Sequence, residues 1–246
     1  MAKKILKGTK AAEGRRRTDE RRSRKDRRTG SRKGPEARKG AVTMLVATTN
    51  PHKLKEILGL LKSLPIHVKT LKDFGDVKIP AEEGSTFAEN ARAKALYYAK
   101  ATGLLTMAED SGFEVDALDC QPGIYSARYL RPDATYPERF EAIYAELRKR
   151  RVKTSGARFV CALALSTGGK ITFETKGVVE GQLAAQPAGT GGFGYDPIFC
   201  YPPYGKTFAE ISPEEKTAVS HRGEAIRALR SHLEQKLNTL PKTQTR

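Results

Sequence analysis

Residues 42–64 read VTMLVATTNPHKLKEILGLLKSL. The first seven, VTMLVAT, form a short apolar run of strand length, and Thr49-Asn50-Pro51 breaks it. Leu54, Ile57, Leu58, Leu61 and Leu64 then recur at helical spacing, so the stretch predicts a strand, a tight loop and a helix. Asn50 is suited to cap that helix, and Pro51 falls at its first position, where a missing N–H costs nothing. A second strand at about His67–Leu71 completes a β-α-β unit, the mark of an α/β sheet.

Working outward, Thr86-x-x-Glu89 reads as a capping box ahead of an alanine-rich helix to about Ala101, with Gly103 where a C-terminal stop belongs. Leu104 to Ala108 reads as a buried strand that ends in the charged run Glu109-Asp110-Ser111-Gly112. Pro137 opens another helix through Arg150. The segments 157–166 and 171–179 are β-rich and joined by Thr167-Gly168-Gly169-Lys170, which predicts a hairpin. Ser212-Pro213-Glu214-Glu215 starts a short helix with a second capping box, and Arg222 to Leu237 forms the closing helix. No internal repeat is present.

The chain has 246 residues and a formal net charge of +17. Residues 1–40 hold 17 Lys and Arg against 5 Asp and Glu, a net of +12, which leaves +5 for residues 41–246. Most of the basic character therefore belongs to the N-terminal segment, and a protein that coats nucleic acid with its whole surface is a poor reading. Residues 1–41 have almost no apolar content after Leu6 and read as a disordered basic tail, merely solubilising or in weak contact with RNA or another polyanion, with a targeting peptide as the third alternative, against which Glu13, Asp19, Glu20 and Asp26 count. A folded domain is expected over 42–240, followed by a short tail at 241–246. No apolar run approaches the ~18–20 residues of a membrane span and no signal-peptide core is seen, so a soluble, cytoplasmic protein is expected. Cys120, Cys161 and Cys200 have no zinc or disulfide spacing and are read as reduced packing thiols.

Four places put polar or glycine residues where a core would not want them. In the turn Thr48, Thr49, Asn50, Pro51, His52, Lys53, amides at a helix N-terminus and a lysine could hold a phosphate, although a capped helix with a surface lysine gives the same string. Asp110 and Ser111 follow an apolar strand, and strand ends in α/β sheets are where ligands gather. Asp110 could hold Mg²⁺ and orient a water, with Glu82 as a second hard oxygen ligand; the alternative is that Glu109 and Asp110 simply begin a turn. The run 189–197, GTGGFGYDP, places Phe193, Gly194, Tyr195 and Asp196 in a glycine-rich loop whose aromatics could stack on a base, or which is only a tight structural loop. It is neither a Walker A loop nor a Rossmann fingerprint. Lys216, His221 and Arg222 cluster at a helix junction, where Arg222 could donate to a carbonyl such as a purine O6. No nucleophile elbow or H-E-x-x-H helix appears, which disfavours Ser or Cys hydrolases and zinc proteases.

Taken together and in order, these segments closely resemble the inosine triphosphate pyrophosphatase family. The matching strings are VATTNPHKLKEI (46–57), EEGSTFAENARAKA (82–95), AEDSGFEVDAL (108–118), PGIYSARY (122–129), PAGTGGFGYDPIF (187–199) and KTFAEISPEEKTAVSHRGEA (206–225). The resemblance implies a two-lobed α/β fold with a long central mixed sheet, a cleft between the lobes, a homodimer, and Mg²⁺-dependent hydrolysis of dITP, ITP and XTP to monophosphate and diphosphate. It further implies that Thr48 to Lys53 bind the triphosphate, that Asp110 is proton acceptor and metal ligand with Glu82, and that Ser111 contacts substrate. Phe193, Gly194, Tyr195 and Asp196 match the nucleoside loop, and Lys216, His221 and Arg222 the remaining contacts. Glu109 stands where an Asp is frequent and Glu83 where a Thr is often found, and residues 1–41 inherit nothing. The rival reading from another class is an RNA- or ribosome-associated binding protein acting through the basic tail.

Overall fold

The computed structural model describes residues 42–75 and 77–239. The tails expected at 1–41 and 241–246 lie outside the described residues. In chain order the elements are β1 (Val42–Val46), α1 (Pro51–Leu61), β2 (Ile66–Thr70), α2 (Phe87–Thr102), β3 (Leu105–Val115), β4 (Gln121–Pro122), α3 (Tyr136–Lys149), β5 (Gly156–Thr167), β6 (Lys170–Leu183), β7 (Phe199–Tyr201), β8 (Lys206–Thr207), α4 (Pro213–Val219) and α5 (His221–Thr239), with short 3-10 turns between them. The strands form one sheet in the order β2-β1-β3-β5-β6-β7-β8, with β4 beside β3. β1 runs parallel to β2 and β3, and the other pairings are antiparallel, so the sheet is mixed as expected. Among the described residues, no helix is long and apolar enough to cross a membrane.

The alternation of side chains along β1 assigns the two faces. Met44 and Val46 pack with Ile57 and Leu61 of α1 and Ile226 and Leu229 of α5. Leu45 and Ala47 point the other way, against Ala91, Ala95 and Tyr98 of α2. A third, aromatic-rich cluster around Phe113, Phe140, Phe159, Phe199 and Phe208 joins α3 to the far end of the sheet.

The predicted β-α-β start is present, and Asn50 caps α1 by accepting from the amides of His52 (2.9 Å) and Lys53 (3.2 Å). Three details differ from the sequence reading. Glu89 reaches the amide of Ser85 (2.7 Å), one residue before the cap, while Thr86 itself caps α2. Cys161 is a buried thiol, but Cys120 is exposed, its sulfur 3.7 Å from the Arg158 guanidinium. The third difference matters for the site: β3 does not stop at Ala108 but carries Glu109, Asp110 and Ser111 on to Val115. Its register with β5 is unbroken from Thr106↔Ser166 to Val115↔Ala157, which holds the charged residues in extended backbone. On the opposite edge, pairing with β1 ends at Val46↔Met107 and resumes only with β4 at Glu114.

Gly112 sits on this stretch for a steric reason. A Cβ there would lie 2.4 Å from the Gly123 carbonyl and 2.6 Å from Ser126 Oγ. Gly112→Ala is therefore expected to destabilise the protein by about 1–3 kcal/mol through overpacking, read as a lower midpoint in chemical denaturation; an unchanged midpoint would show that the 123–126 turn yields freely.

Candidate active site

Because β1 stops while β3 continues, a stretch of β3 faces open space, and a cleft of about 600 Å³ lies along it. Successive side chains of a strand point to opposite faces, so Glu109 and Asp110 serve the cleft from two sides of the sheet. Asp110 faces α2 and Glu109 faces α1 and α5.

On the α2 side, Lys94 Nζ donates to Asp110 Oδ1 (2.9 Å) and to Glu82 Oε1 (2.8 Å). Asn90 Nδ2 donates to the other oxygen of Asp110 (3.2 Å), and Asn90 itself is fixed by the Gly84 amide (2.9 Å). Arg128 adds a second cation on Glu82 (3.2 Å). Burial pushes the Asp110 carboxyl above its ordinary range, with Lys94 opposing. Burial would also raise Glu82, but Lys94 and Arg128 outweigh it and hold that group low.

On the other side the charges form an alternating chain. Lys53 pairs with Glu109 (2.9 Å), whose second oxygen lies 3.5 Å from Arg222. Arg222 pairs with Glu56 (2.7 Å), Glu56 with Lys216 (3.1 Å), and Lys216 with Asp196 (2.6 Å). Arg222 also donates to Ser111 Oγ (2.8 Å). Burial alone would raise Glu109, yet Arg222 and Lys53 hold it well below the usual carboxylate range. For His221, burial and then Arg222 push the imidazole well below its ordinary value, so it is neutral, stacked on Phe159 at 4.9 Å between ring centroids.

The glycine-rich loop closes this wall. Asp196 accepts from the Phe193 amide (2.7 Å), an approach that a Cβ on Gly192 would block at 2.0 Å. Lys216 Nζ lies 4.5 Å from the centre of the Phe193 ring, and His52 stacks on that ring at 5.0 Å. Tyr195 is buried, its hydroxyl donating to the Ser126 carbonyl (2.8 Å).

Of the residues singled out in the sequence, Thr48, Thr49, Asn50, Lys53, Glu82, Asp110, Ser111, Phe193, Gly194, Tyr195, Asp196, Lys216, His221 and Arg222 all line the one cleft. Pro51 and His52 do not line it; Pro51 is the exposed first residue of α1, and His52 reaches the cleft only through Phe193. The reading of Asp110 as a strand-end residue is corrected: it lies mid-strand, and what ends beside it is β1. Sequence reasoning passed over Lys94, Asn90, Glu56 and Arg128. Asn90 and Lys94 share the helical face of the core residues Phe87, Ala91, Ala95 and Tyr98, and polar side chains at core positions were the available signal. Glu56 follows Lys53 by three residues on α1 and so shares its face.

A family model, the Ham1 family, matches residues 44–232. The chain belongs to the Ham1 family. Among its relatives, a dITP/XTP pyrophosphatase from Syntrophobacter fumaroxidans is 45% identical over 199 residues, 80% of this chain and 84% of that protein. One of the same name from Thermus thermophilus is 47% identical over 186 residues, 76% of this chain and 89% of the other. The solved structure of a HAM1 protein from Coxiella burnetii superposes with a TM-score of 0.74 at 39% identity, covering 79% of this chain and 99% of that one. The Ham1 relationship bears out the family resemblance read from the six sequence blocks, and with it the α/β architecture.

Within this Ham1-family chain, Asp196 is 2% exposed and Lys216 4%, so neither is solvated if the other is removed. Asp196→Asn is expected to cost about 3 kcal/mol in urea unfolding. A loss below about 1 kcal/mol would mean that Glu56 alone is enough to hold Lys216.

Proposed function

We propose that this chain hydrolyses non-standard purine nucleoside triphosphates, dITP, ITP and XTP, to the monophosphate and diphosphate, with Mg²⁺, as a homodimer in the cytoplasmic nucleotide pool. The observation that carries the reading is the meeting of two carboxylates, Glu82 and Asp110, at one cationic nitrogen, with Lys53 across the β3 edge. The names of the relatives agree with it.

The same meeting point is the test of fit for a divalent cation. Two carboxylate oxygens converge at 2.8 and 2.9 Å on Lys94 Nζ, and Mg²⁺ is characteristically held by one or two carboxylates plus substrate phosphates. When bound, the metal supplies charge neutralisation on the phosphoryl oxygens. The chain's own groups do the rest. Asp110, raised by burial and aimed by Asn90 and Lys94, takes the proton of the attacking water. Lys53 and Lys216 bring positive charge to the triphosphate, and Phe193 can meet the base where His52, now stacked on its ring, moves aside.

Base choice follows from donors and acceptors. Hypoxanthine and xanthine present O6 as an acceptor where adenine presents an amino group. Donors from Arg222 or the loop amides favour the former, because adenine offers them no acceptor at that position.

The test is diphosphate release from dITP, ITP, XTP, dUTP, GTP and ATP with the full chain. Turnover is expected to favour the first three, to vanish with a chelator and to return with Mg²⁺; equal rates on ATP would remove the substrate assignment. Asp110→Asn should lower kcat by at least ~100-fold without unfolding the protein, and near-normal turnover would take Asp110 out of the proton-accepting role. Lys53→Ala should raise KM for a triphosphate, and an unaltered KM would leave the 48–53 turn a structural one.

A further inference from the structure

We propose that the main-chain amides of Glu109 and Ser111, on the unpaired edge of β3, donate hydrogen bonds to the phosphate oxygens of the bound triphosphate. The inference rests on the triphosphate reading above and adds a contact made by backbone rather than side chain.

The direction of these amides follows from their neighbours. In extended backbone the N–H and C=O of one residue face the same edge of the strand, and successive residues alternate edges. The Met107 carbonyl accepts from the Ala47 amide (2.9 Å) on the β1 side. On the same edge the Phe113 amide donates to Ser126 Oγ (2.8 Å), and the Val115 carbonyl accepts from the Cys120 amide (3.1 Å). Residues 107, 113 and 115 thus all face away from β5. Glu109 and Ser111 lie between them with the same parity, so their amides face the same way, across the gap that β1 leaves.

Nothing in the described residues accepts from either amide, while the register of the even-numbered residues with β5 is continuous. Main-chain donors in a folded protein are almost always paired, with water or ligand where no protein group is available. Both residues line the cleft, so a ligand there can reach them. Their side chains are engaged elsewhere: the Ser111 hydroxyl oxygen accepts from Arg222, and the Glu109 carboxylate is held by Lys53 and Arg222. What these two residues have left to offer is the backbone.

The surroundings select an anion. Lys53 flanks the edge on one face and Lys94 on the other, so two outward N–H groups lie between two ammonium groups. Amides and cations arranged in this way suit phosphoryl oxygens, which accept several hydrogen bonds at once. The carbonyls of the same two residues suit a water molecule, the other reactant that Asp110 must hold.

Amide hydrogen exchange followed by NMR on the full chain tests this directly. In the free protein the amides of Glu109 and Ser111 should exchange at least ~10-fold faster than those of Ala108, Asp110 and Gly112, which are bonded to β5. Saturation with an ITP analogue carrying an α,β-imido bridge should slow both by at least ~10-fold, and Ser111→Ala, which keeps the amide, should preserve that slowing. Two outcomes overturn the backbone contact alone: equal protection of all five amides in the free protein, or an analogue that shifts the Lys53 and Phe193 resonances but leaves the two amides unprotected. Loss of the effect in Ser111→Ala transfers the contact to the hydroxyl and overturns it too. An analogue that shifts no resonance at all overturns the triphosphate reading and this inference with it.

Discussion

The Glu109 carboxylate, almost wholly enclosed between Lys53 and Arg222, is the interaction on which the cleft depends. A buried carboxylate without partners would take up a proton or unfold its surroundings. Here it is held ionised by two cations that come from α1 and α5, elements far apart in sequence, and so it ties those helices to β3 at one point. Arg222 in turn needs Glu56, Glu56 shares Lys216, and Lys216 shares Asp196, which shapes the glycine-rich loop. Each group is satisfied only if the next is in place. Such a chain is weak evidence for stability, since apolar residues of the same volume often do as well. It is stronger evidence for preorganisation, because the side chains that line the cleft are held in place by one another.

The second constraint is topological. β1 ends where β3 goes on, and the pleat then sends Glu109 and Asp110 to opposite faces of the sheet. One strand thereby feeds two chemically different walls, a carboxylate pair with Lys94 against α2 and an alternating ion chain against α1 and α5. A strand that stopped at its last apolar residue could present only one of them.

Much of this was legible in the residues. The strand, Asn50 cap and helix at 42–61 follow from periodicity and capping chemistry, and the six ordered blocks carried the family and with it most of the cleft lining. The extent of β3 was not legible, because a charged run after an apolar one looks like a turn unless one knows that open cleft will lie beside it. Lys94 and Asn90 were passed over for a related reason: they fall on the core face of an alanine-rich helix, but only the position of Asp110 across from them gives those polar side chains partners. Glu56 was missed because its partners, Lys216 and Arg222, lie more than 150 residues away and ion pairs of that range leave no local pattern.

The ion pairs around the cleft also have a consequence for what the protein ignores. Lys53, Lys94, Arg128, Lys216 and Arg222 are matched by Glu56, Glu82, Glu109, Asp110 and Asp196, cation for carboxylate. At neutral pH the resting cleft is therefore close to electroneutral and projects little long-range attraction. Polyphosphate chains of nucleic acid, which bind wherever positive potential accumulates, find no standing field there to follow.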